Sequence, residues 1–367
     1  MLKKKIVLVV GARPNFMKSA PLMRELGKHG DRFETLLIHT GQHYDHKLSQ
    51  LFFDELKMPK PDIYLGVGSG SHAEQTARIM TSLENELTEL KPDLVIVFGD
   101  VNSTLATSIV TSKLWIKLGH VEAGLRSFDN TMPEEINRIV TDRLSDYLFV
   151  SEPSGLANLK AEGVADKKVF FTGNIMIDSL VSNLAVANKS DILQRLNLRP
   201  KEYIAMTMHR PANVDDSETL KGIITSIQKI SERLPIVFPC HPRTRNRIEE
   251  FGLLKSSQST GLRIIEPLGY LDFLKLQADS RLVLTDSGGI QEETTYLQIP
   301  CITMRENTER PATVDIGTNV IAGTDPKRIT EGALATLDGT GKKGTVPELW
   351  DGKTAGRIVD ILIDKLF

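Results

Sequence analysis

Carboxyls, histidines and cations stand in short groups, each just after an apolar run. Asp100 follows the run 94–98 and Gly99, and Glu122 lies within His120-Val121-Glu122-Ala123-Gly124-Leu125-Arg126. Glu134 stands in Pro133-Glu134-Glu135. Three carboxyls near neighbouring strand ends can share one site, shift each other's pKa values and move protons. Each also has a plainer use: Asp100 can cap a helix, and Glu134 and Glu135 complement a helix dipole. Arg13 and Lys18, after Gly11, fall near a helix start whose positive end disfavours them. They either hold an anion there or lie on the surface. His209, after the run 203–208, and His241, in Pro239-Cys240-His241-Pro242-Arg243, can each protonate a leaving group near neutral pH, or be structural.

The most specific string is Thr285-Asp286-Ser287-Gly288-Gly289-Ile290-Gln291-Glu292-Glu293. A strand, a Ser-Gly-Gly turn and a helix start place backbone N–H groups at a positive helix end, a ready site for a diphosphate. A carboxylate one turn on, Glu292 or Glu293, can take ribose hydroxyls. The string is neither a dinucleotide fingerprint nor a Walker A loop, which counts against NAD and ATP hydrolysis. The histidines are not spaced as metal ligands, so no metal is expected.

These groups need a scaffold that gathers strand ends. Short apolar runs at 6–10, 35–38, 94–98, 147–150 and 169–171 alternate with amphipathic stretches. Further runs follow at 203–208, 236–238, 262–265, 282–284 and 301–303. Several are apolar throughout, as in parallel strands covered on both faces. The alternation predicts an α/β protein, and so many strands predict two sheets. The polar stretch 187–200 separates the two sets, and the hinge is expected between Gly173 and Pro200. The pattern predicts a helix from Ser217, its cap, to Leu234, and another over 355–367.

The 367 residues suit two domains. Forty-five basic against 47 acidic side chains leave a net charge of -2, which argues against a nucleic-acid binder. No run approaches a membrane span, and 1–10 lacks a cleavage site and reads as a buried strand. Two cysteines, Cys240 and Cys301, cannot build a disulfide framework and fit buried thiols in a cytoplasmic protein.

At these motifs the sequence resembles the non-hydrolysing UDP-N-acetylglucosamine 2-epimerases, over nearly its whole length. Gly11-Ala12-Arg13-Pro14 with Lys18, His39-Thr40-Gly41-Gln42-His43-Tyr44, Gly99-Asp100, His120 to Arg126, Pro133-Glu134-Glu135, His209-Arg210, the Ser-Gly-Gly string and Asn307-Thr308-Glu309-Arg310-Pro311 carry the likeness, in order. The resemblance implies the glycosyltransferase-B architecture, two Rossmann-like domains with a central cleft. Residues 1–177 would form the first and 178–352 the UDP-binding second, with a helix at 353–367 packing back on the first. It implies inversion at C2 of UDP-N-acetylglucosamine without a cofactor, through UDP elimination to 2-acetamidoglucal and re-addition. It assigns Asp100, Glu122 and Glu134 to acid/base work and His209 to the leaving diphosphate. Arg13, Lys18, Ser287, Gly288, Gly289 and Arg310 match diphosphate or substrate contacts, and Glu293 the ribose ligand. Gln42, His43, Arg210 and His241 resemble a second, allosteric site. The resemblance also implies a homodimer. Ala212 stands where many members have Glu and Leu268 where Gln is common, and 66–70 lacks a frequent Arg; these departures bear on sugar specificity and allosteric activation. Alternatives are an epimerase of another UDP-2-acetamido sugar, such as a 2,3-diacetamido uronic acid, and the hydrolysing type. A transferase of the same architecture and a silent UDP-sugar sensor fit the matched carboxyls less well.

Overall fold

The structure, a computed structural model, describes residues 2–42, 60–253 and 261–367. The chain forms two compact units, Met1–Ser182 with Glu348–Phe367, and Asn183–Pro347. The first crossing between them falls inside the helix Ile175–Ala187.

The first unit is built on seven parallel strands. They are β1 (Lys4–Val10), β2 (Phe33–His39), β3 (Ile63–Tyr64), β4 (Leu94–Phe98), β5 (Lys117–Ala123), β6 (Tyr147–Val150) and β7 (Val169–Phe171), in the order β3-β2-β1-β4-β5-β6-β7. Every residue of β4 and the last five of β1 are buried, because helices cover both faces. Leu8 lies between Leu37 and Ile96 in register. The order reverses between β1 and β4, and an open α/β sheet binds ligands past the carboxyl ends at that point. The helix His72–Leu90 shows why these covers form where they do. Ser71 accepts the Glu74 N–H, Glu74 accepts the Ser71 N–H, and Ile79, Leu83 and Leu87 then repeat on the buried face.

The closing segment belongs to this unit. The helix Thr354–Leu366 buries Ile358, Val359 and Leu362 and packs on the helix Arg13–Gly27. Asp178 caps it, accepting the N–H groups of Thr354 and Ala355 at 3.1 and 2.8 Å. The Trp350 indole is buried and donates to the Ser151 carbonyl at 2.9 Å.

The second unit repeats the plan with six parallel strands: β8 (Ile204–Met206), β9 (Ile236–Pro239), β10 (Leu262–Ile265), β11 (Leu282–Thr285), β12 (Cys301–Thr303) and β13 (Asn319–Ile321). Their order is β10-β9-β8-β11-β12-β13, reversing between β8 and β11. The helix Ser217–Ser231 buries Leu220, Ile223, Ile224, Ile227 and Ile230, the face its periodicity predicts. It stops three residues before Leu234. Its cap is Asp216 rather than Ser217. Asp216 has the extended backbone a cap needs, and its carboxylate accepts the Thr219 N–H at 2.8 Å.

The expected α/β class with two parallel sheets holds, and ten runs read as strands all contain one. Three strands lie outside that reading. β3 has only two residues, while β5 and β13 carry Gly119, His120, Glu122 and Asn319 in place of an apolar run.

Candidate active site

In the first unit the carboxyl ends of β4 and β5 stand side by side. Gly99 and Asp100 directly follow β4, and Glu122 is the second-to-last residue of β5. Glu122 is the extra residue of a bulge, since Val121 pairs with Phe149 and Ala123 with Val150. Its φ of +76° is left-handed, a conformation non-glycine residues adopt mainly where the surroundings enforce it. The bulge delivers its carboxylate to the buried ammonium of Lys18, with which it forms an ion pair. Gly99 lies against both, for a Cβ there would stand 2.7 Å from Lys18 Nζ and 4.0 Å from Glu122 Oε2. Lys18, read from the sequence as an anion ligand, is thus also the cation that meets Glu122.

Asp100 is gripped by a residue the sequence reading passed over. Arg138 donates through Nε and Nη2 to Asp100 Oδ2 at 3.0 and 2.6 Å, and through Nη1 to Glu135 Oε2 at 2.7 Å. Glu135 also accepts the Ser127 and Phe128 N–H groups, each at 2.9 Å. Burial alone would raise the Glu135 pKa, but these donors bring it below its usual value. Glu134, one residue earlier, is half-buried in the first turn of the helix Pro133–Leu144 and makes no ion pair among the described residues.

The string His120 to Arg126 supports this wall. His120 is fully buried, with Nδ1 2.6 Å from Asp142 and Nε2 2.9 Å from the Gly99 carbonyl. A carbonyl only accepts, so Nε2 carries a hydrogen. Asp142 also takes the Gly124 N–H at 3.0 Å and pairs with Arg126 at 2.8 Å. Burial opposes ionisation of Asp142, yet His120 and Arg126 hold its pKa below the ordinary value. Within this string His120 and Arg126 are bound to Asp142, while Glu122 turns to Lys18.

Arg13 opens the helix Arg13–Gly27, but its side chain, and His43 altogether, lie outside the described residues. Gln42 is buried, and its side-chain Oε1 accepts the Ser103 N–H and hydroxyl at 3.0 and 2.6 Å.

In the second unit the residues past β8 and β11 meet across the order reversal. Asp286 is buried, and its Oδ2 accepts the N–H groups of His209 and Arg210, each at 2.9 Å, and Asn213 Nδ2 at 3.1 Å. Its Oδ1 lies 3.1 Å from His209 Nδ1, while the His209 ring is half exposed. Burial alone would raise the Asp286 pKa; the donors from His209 and Arg210 bring it below the ordinary value. A carboxylate on Nδ1 leaves Nε2 to face a ligand.

Ser287 precedes the helix Gly288–Leu297, and its N–H bonds Thr285 Oγ1 at 3.0 Å. The first turn leaves N–H groups without helical partners, and a Cβ built on Gly289 meets, among the described residues, no atom within 4 Å beyond its chain neighbours and its own helix backbone. Arg310 lies against this start, 3.0 Å from a Cβ built on Gly288. It is held by Glu292 and Glu309, each at 2.9 Å. Arg210 donates to the Asp286 carbonyl at 3.0 Å and Arg305 pairs with Glu309 at 2.9 Å. Arg210, Arg305 and Arg310 gather here beside the positive end of the helix dipole, with their charge shared among Asp286, Glu292 and Glu309, an arrangement that can receive an anion. Glu293 is buried and accepts the Tyr270 hydroxyl at 3.3 Å. His241 is exposed and caps the helix Pro242–Glu250, accepting the Arg243 N–H at 3.2 Å.

Among the described residues no three His, Cys, Asp or Glu side chains are placed to hold a metal ion, and no helix is long and apolar enough to cross a membrane.

The family model for UDP-N-acetylglucosamine 2-epimerase matches residues 24–363. The UDP-N-acetylglucosamine 2-epimerase of Methanococcus maripaludis is 44% identical over 332 residues, 89% of each chain. The UDP-2,3-diacetamido-2,3-dideoxy-D-glucuronate 2-epimerase of Pseudomonas aeruginosa is 40% identical over 340 residues, 92% of this chain and 93% of that one. Among solved structures, the UDP-GlcNAc 2-epimerase of Methanocaldococcus jannaschii in complex with UDP-GlcNAc and UDP superposes with a TM-score of 0.88 at 42% identity, covering 98% of this chain and 99% of that one.

Proposed function

The chain belongs to the UDP-N-acetylglucosamine 2-epimerase family, and we propose that its two sets of strand-end residues divide the work of that reaction. It is an isomerase that inverts C2 of UDP-N-acetylglucosamine to give UDP-N-acetylmannosamine. What supports that division of labour is that Asp100 follows β4 and Glu122 lies near the end of β5, while the helix Gly288–Leu297 starts past β11.

The C2 proton is weakly acidic, so its loss needs the C1–oxygen bond to UDP to break with it. A carboxylate takes that proton, the C1–C2 double bond of 2-acetamidoglucal forms, and the bonding pair leaves with UDP. On return a second acid delivers a proton to the opposite face of C2, and the UDP oxygen adds to C1. Two faces require more than one carboxyl, and Asp100, Glu122 and Glu134 supply them. The amides at Ser287 to Gly289, with Arg310, Arg13 and Lys18, receive the diphosphate, and His209, oriented by Asp286, faces the leaving oxygen. Glu293 takes the ribose. Gln42, His43, Arg210 and His241 remain a proposal for a second substrate site, with Gln42 also serving the fold. The reading includes a homodimer working in the cytoplasm, which the family likeness supports.

The test is incubation with UDP-N-acetylglucosamine in D₂O, followed by NMR. Both UDP-sugars should appear with deuterium at C2. An unchanged spectrum overturns the reading; free N-acetylmannosamine with UDP assigns the hydrolysing type instead. The Pseudomonas aeruginosa relative favours one second reading, a 2,3-diacetamido uronate substrate. Faster turnover of that sugar nucleotide would establish it.

A further inference from the structure

The second unit has a cationic cavity at the opposite end of its sheet from the groups just described. It measures about 280 Å³. Its charged lining is Lys201, Arg281, Lys342 and Lys343, with no carboxylate among the lining residues. Lys201 stands ahead of β8, Arg281 directly precedes β11, and Pro300 directly precedes β12. The cavity therefore sits at the amino ends of the strands whose carboxyl ends carry His209 and Asp286.

Two of the four cations are fixed in place. Lys201 Nζ donates to the carbonyls of Ala278 and Ser280, each at 3.0 Å. Lys342 Nζ donates to the carbonyls of Val314 and Asn319. An ammonium has three N–H donors, so each keeps one donor beyond these bonds. Neither is neutralised by them, because a carbonyl carries no charge. Asp279 lies near Lys201 but pairs with Lys275 at 2.7 Å, and Asp315 lies near Lys342. Burial lowers the pKa of both lysines, and Arg281 pushes Lys201 further in the same direction. An anion in the cavity would relieve that repulsion.

The other two cations are exposed. Arg281 and Lys343 make no ion pair among the described residues, although most arginines of this unit do. The loop that carries Lys342 and Lys343 reads Gly339-Thr340-Gly341-Lys342-Lys343-Gly344. Gly341 and Gly344 let this loop pack closely against Thr336 and Gly317, which fixes the backbone that carries the two lysines. No step of the epimerisation uses it.

We propose that this cavity is a second anion site, taking a compact phosphate-bearing group between Lys201, Arg281, Lys342 and Lys343. Its volume is just below the about 300–1,000 Å³ of pockets for drug-sized ligands, which fits a phosphate or diphosphate group rather than a whole sugar nucleotide. The phosphate can belong to a free anion or to a lipid headgroup.

Inorganic pyrophosphate is the probe, titrated calorimetrically into the protein with UDP already saturating the catalytic site. One pyrophosphate per chain should bind. The exposed pair allows a variant that keeps the fold, R281S/K343S, in which binding should weaken about 10–100-fold while kcat for epimerisation stays at the parent value. Pyrophosphate binding that persists unchanged in this variant, or no binding once UDP is present, overturns the proposal. Sedimentation with vesicles of equal parts phosphatidylglycerol and phosphatidylcholine separates the sources. Sedimentation competed away by pyrophosphate assigns the headgroup, and pyrophosphate binding without sedimentation assigns the free anion.

Discussion

His209 and Asp286 join the two strands between which the second sheet reverses its order. Asp286 Oδ1 faces His209 Nδ1 at 3.1 Å, while Oδ2 takes the N–H groups of His209 and Arg210 and the amide of Asn213. Those three donors will hold the oxygen of an Asn in place, so Asp286→Asn must turn its NH₂ toward Nδ1. The ring then loses its Nδ1 hydrogen and the acceptor that orients it. We expect kcat to fall about 10²-fold with little change in KM. Parent-like kcat would remove His209 from the proton path.

The wall of carboxyls gives a second set of outcomes. Asp100→Asn, Glu122→Gln and Glu134→Gln should each lower kcat about 10²–10⁴-fold, with C2 deuterium incorporation falling in step. Arg138→Lys keeps the charge but cannot fork between Asp100 and Glu135, and displacing Asp100 should lower kcat about 10²-fold. Activity retained in all three carboxyl variants would mean that other groups move the proton.

Gly99→Ala places a methyl 2.7 Å from Lys18 Nζ at a φ of +61°. The left-handed conformation alone costs about 1–2 kcal/mol. Thermal unfolding should show that loss, and turnover should drop because the methyl disturbs the Lys18–Glu122 pair. Parent-like melting together with parent-like turnover would contradict the packing described.

His39 supplies a pH effect separate from catalysis. Its ring is buried between Phe16 and Tyr64, and Nδ1 accepts the Gly41 N–H at 2.7 Å. Burial lowers its pKa to about 4. The folded value lies below the unfolded one, so the contribution to stability is present above about pH 6.5 and lost as pH falls toward 4. The shift corresponds to ~3 kcal/mol. His39→Asn keeps an acceptor for Gly41 but does not titrate. Urea unfolding between pH 7 and pH 4 should therefore be flatter in the variant, and parallel curves would refute the assignment.

Asp178→Ala removes the cap from the helix Thr354–Leu366 and should cost about 1–2 kcal/mol. Hydrogen exchange should speed up first at Thr354 and Ala355, and unchanged exchange there would show the cap to be dispensable.

The apolar strands were legible because burial on both faces leaves no room for polar residues, as in β1 and β4. β5 escaped notice because its polar residues are the site itself. His120 and Glu122 are buried in a strand only through partners that lie far along the chain, Asp142 and Lys18. Arg138 three residues after Glu135 looks like an ordinary pair on a helix surface, and nothing local shows that its fork reaches Asp100. Asp286 stood inside a string read for its glycines, so its bond to His209 became visible only when the strand order brought β8 beside β11.

Residues Glu348–Phe367 complete the first unit, although the whole of Asn183–Pro347 lies between. During synthesis the second unit is therefore the first to have all of its sequence outside the ribosome. The first must wait, with the helix Arg13–Gly27 uncovered on the face that the helix Thr354–Leu366 will occupy. Translation order and order of completion run in opposite directions, and a late stop codon would damage the unit that was translated first.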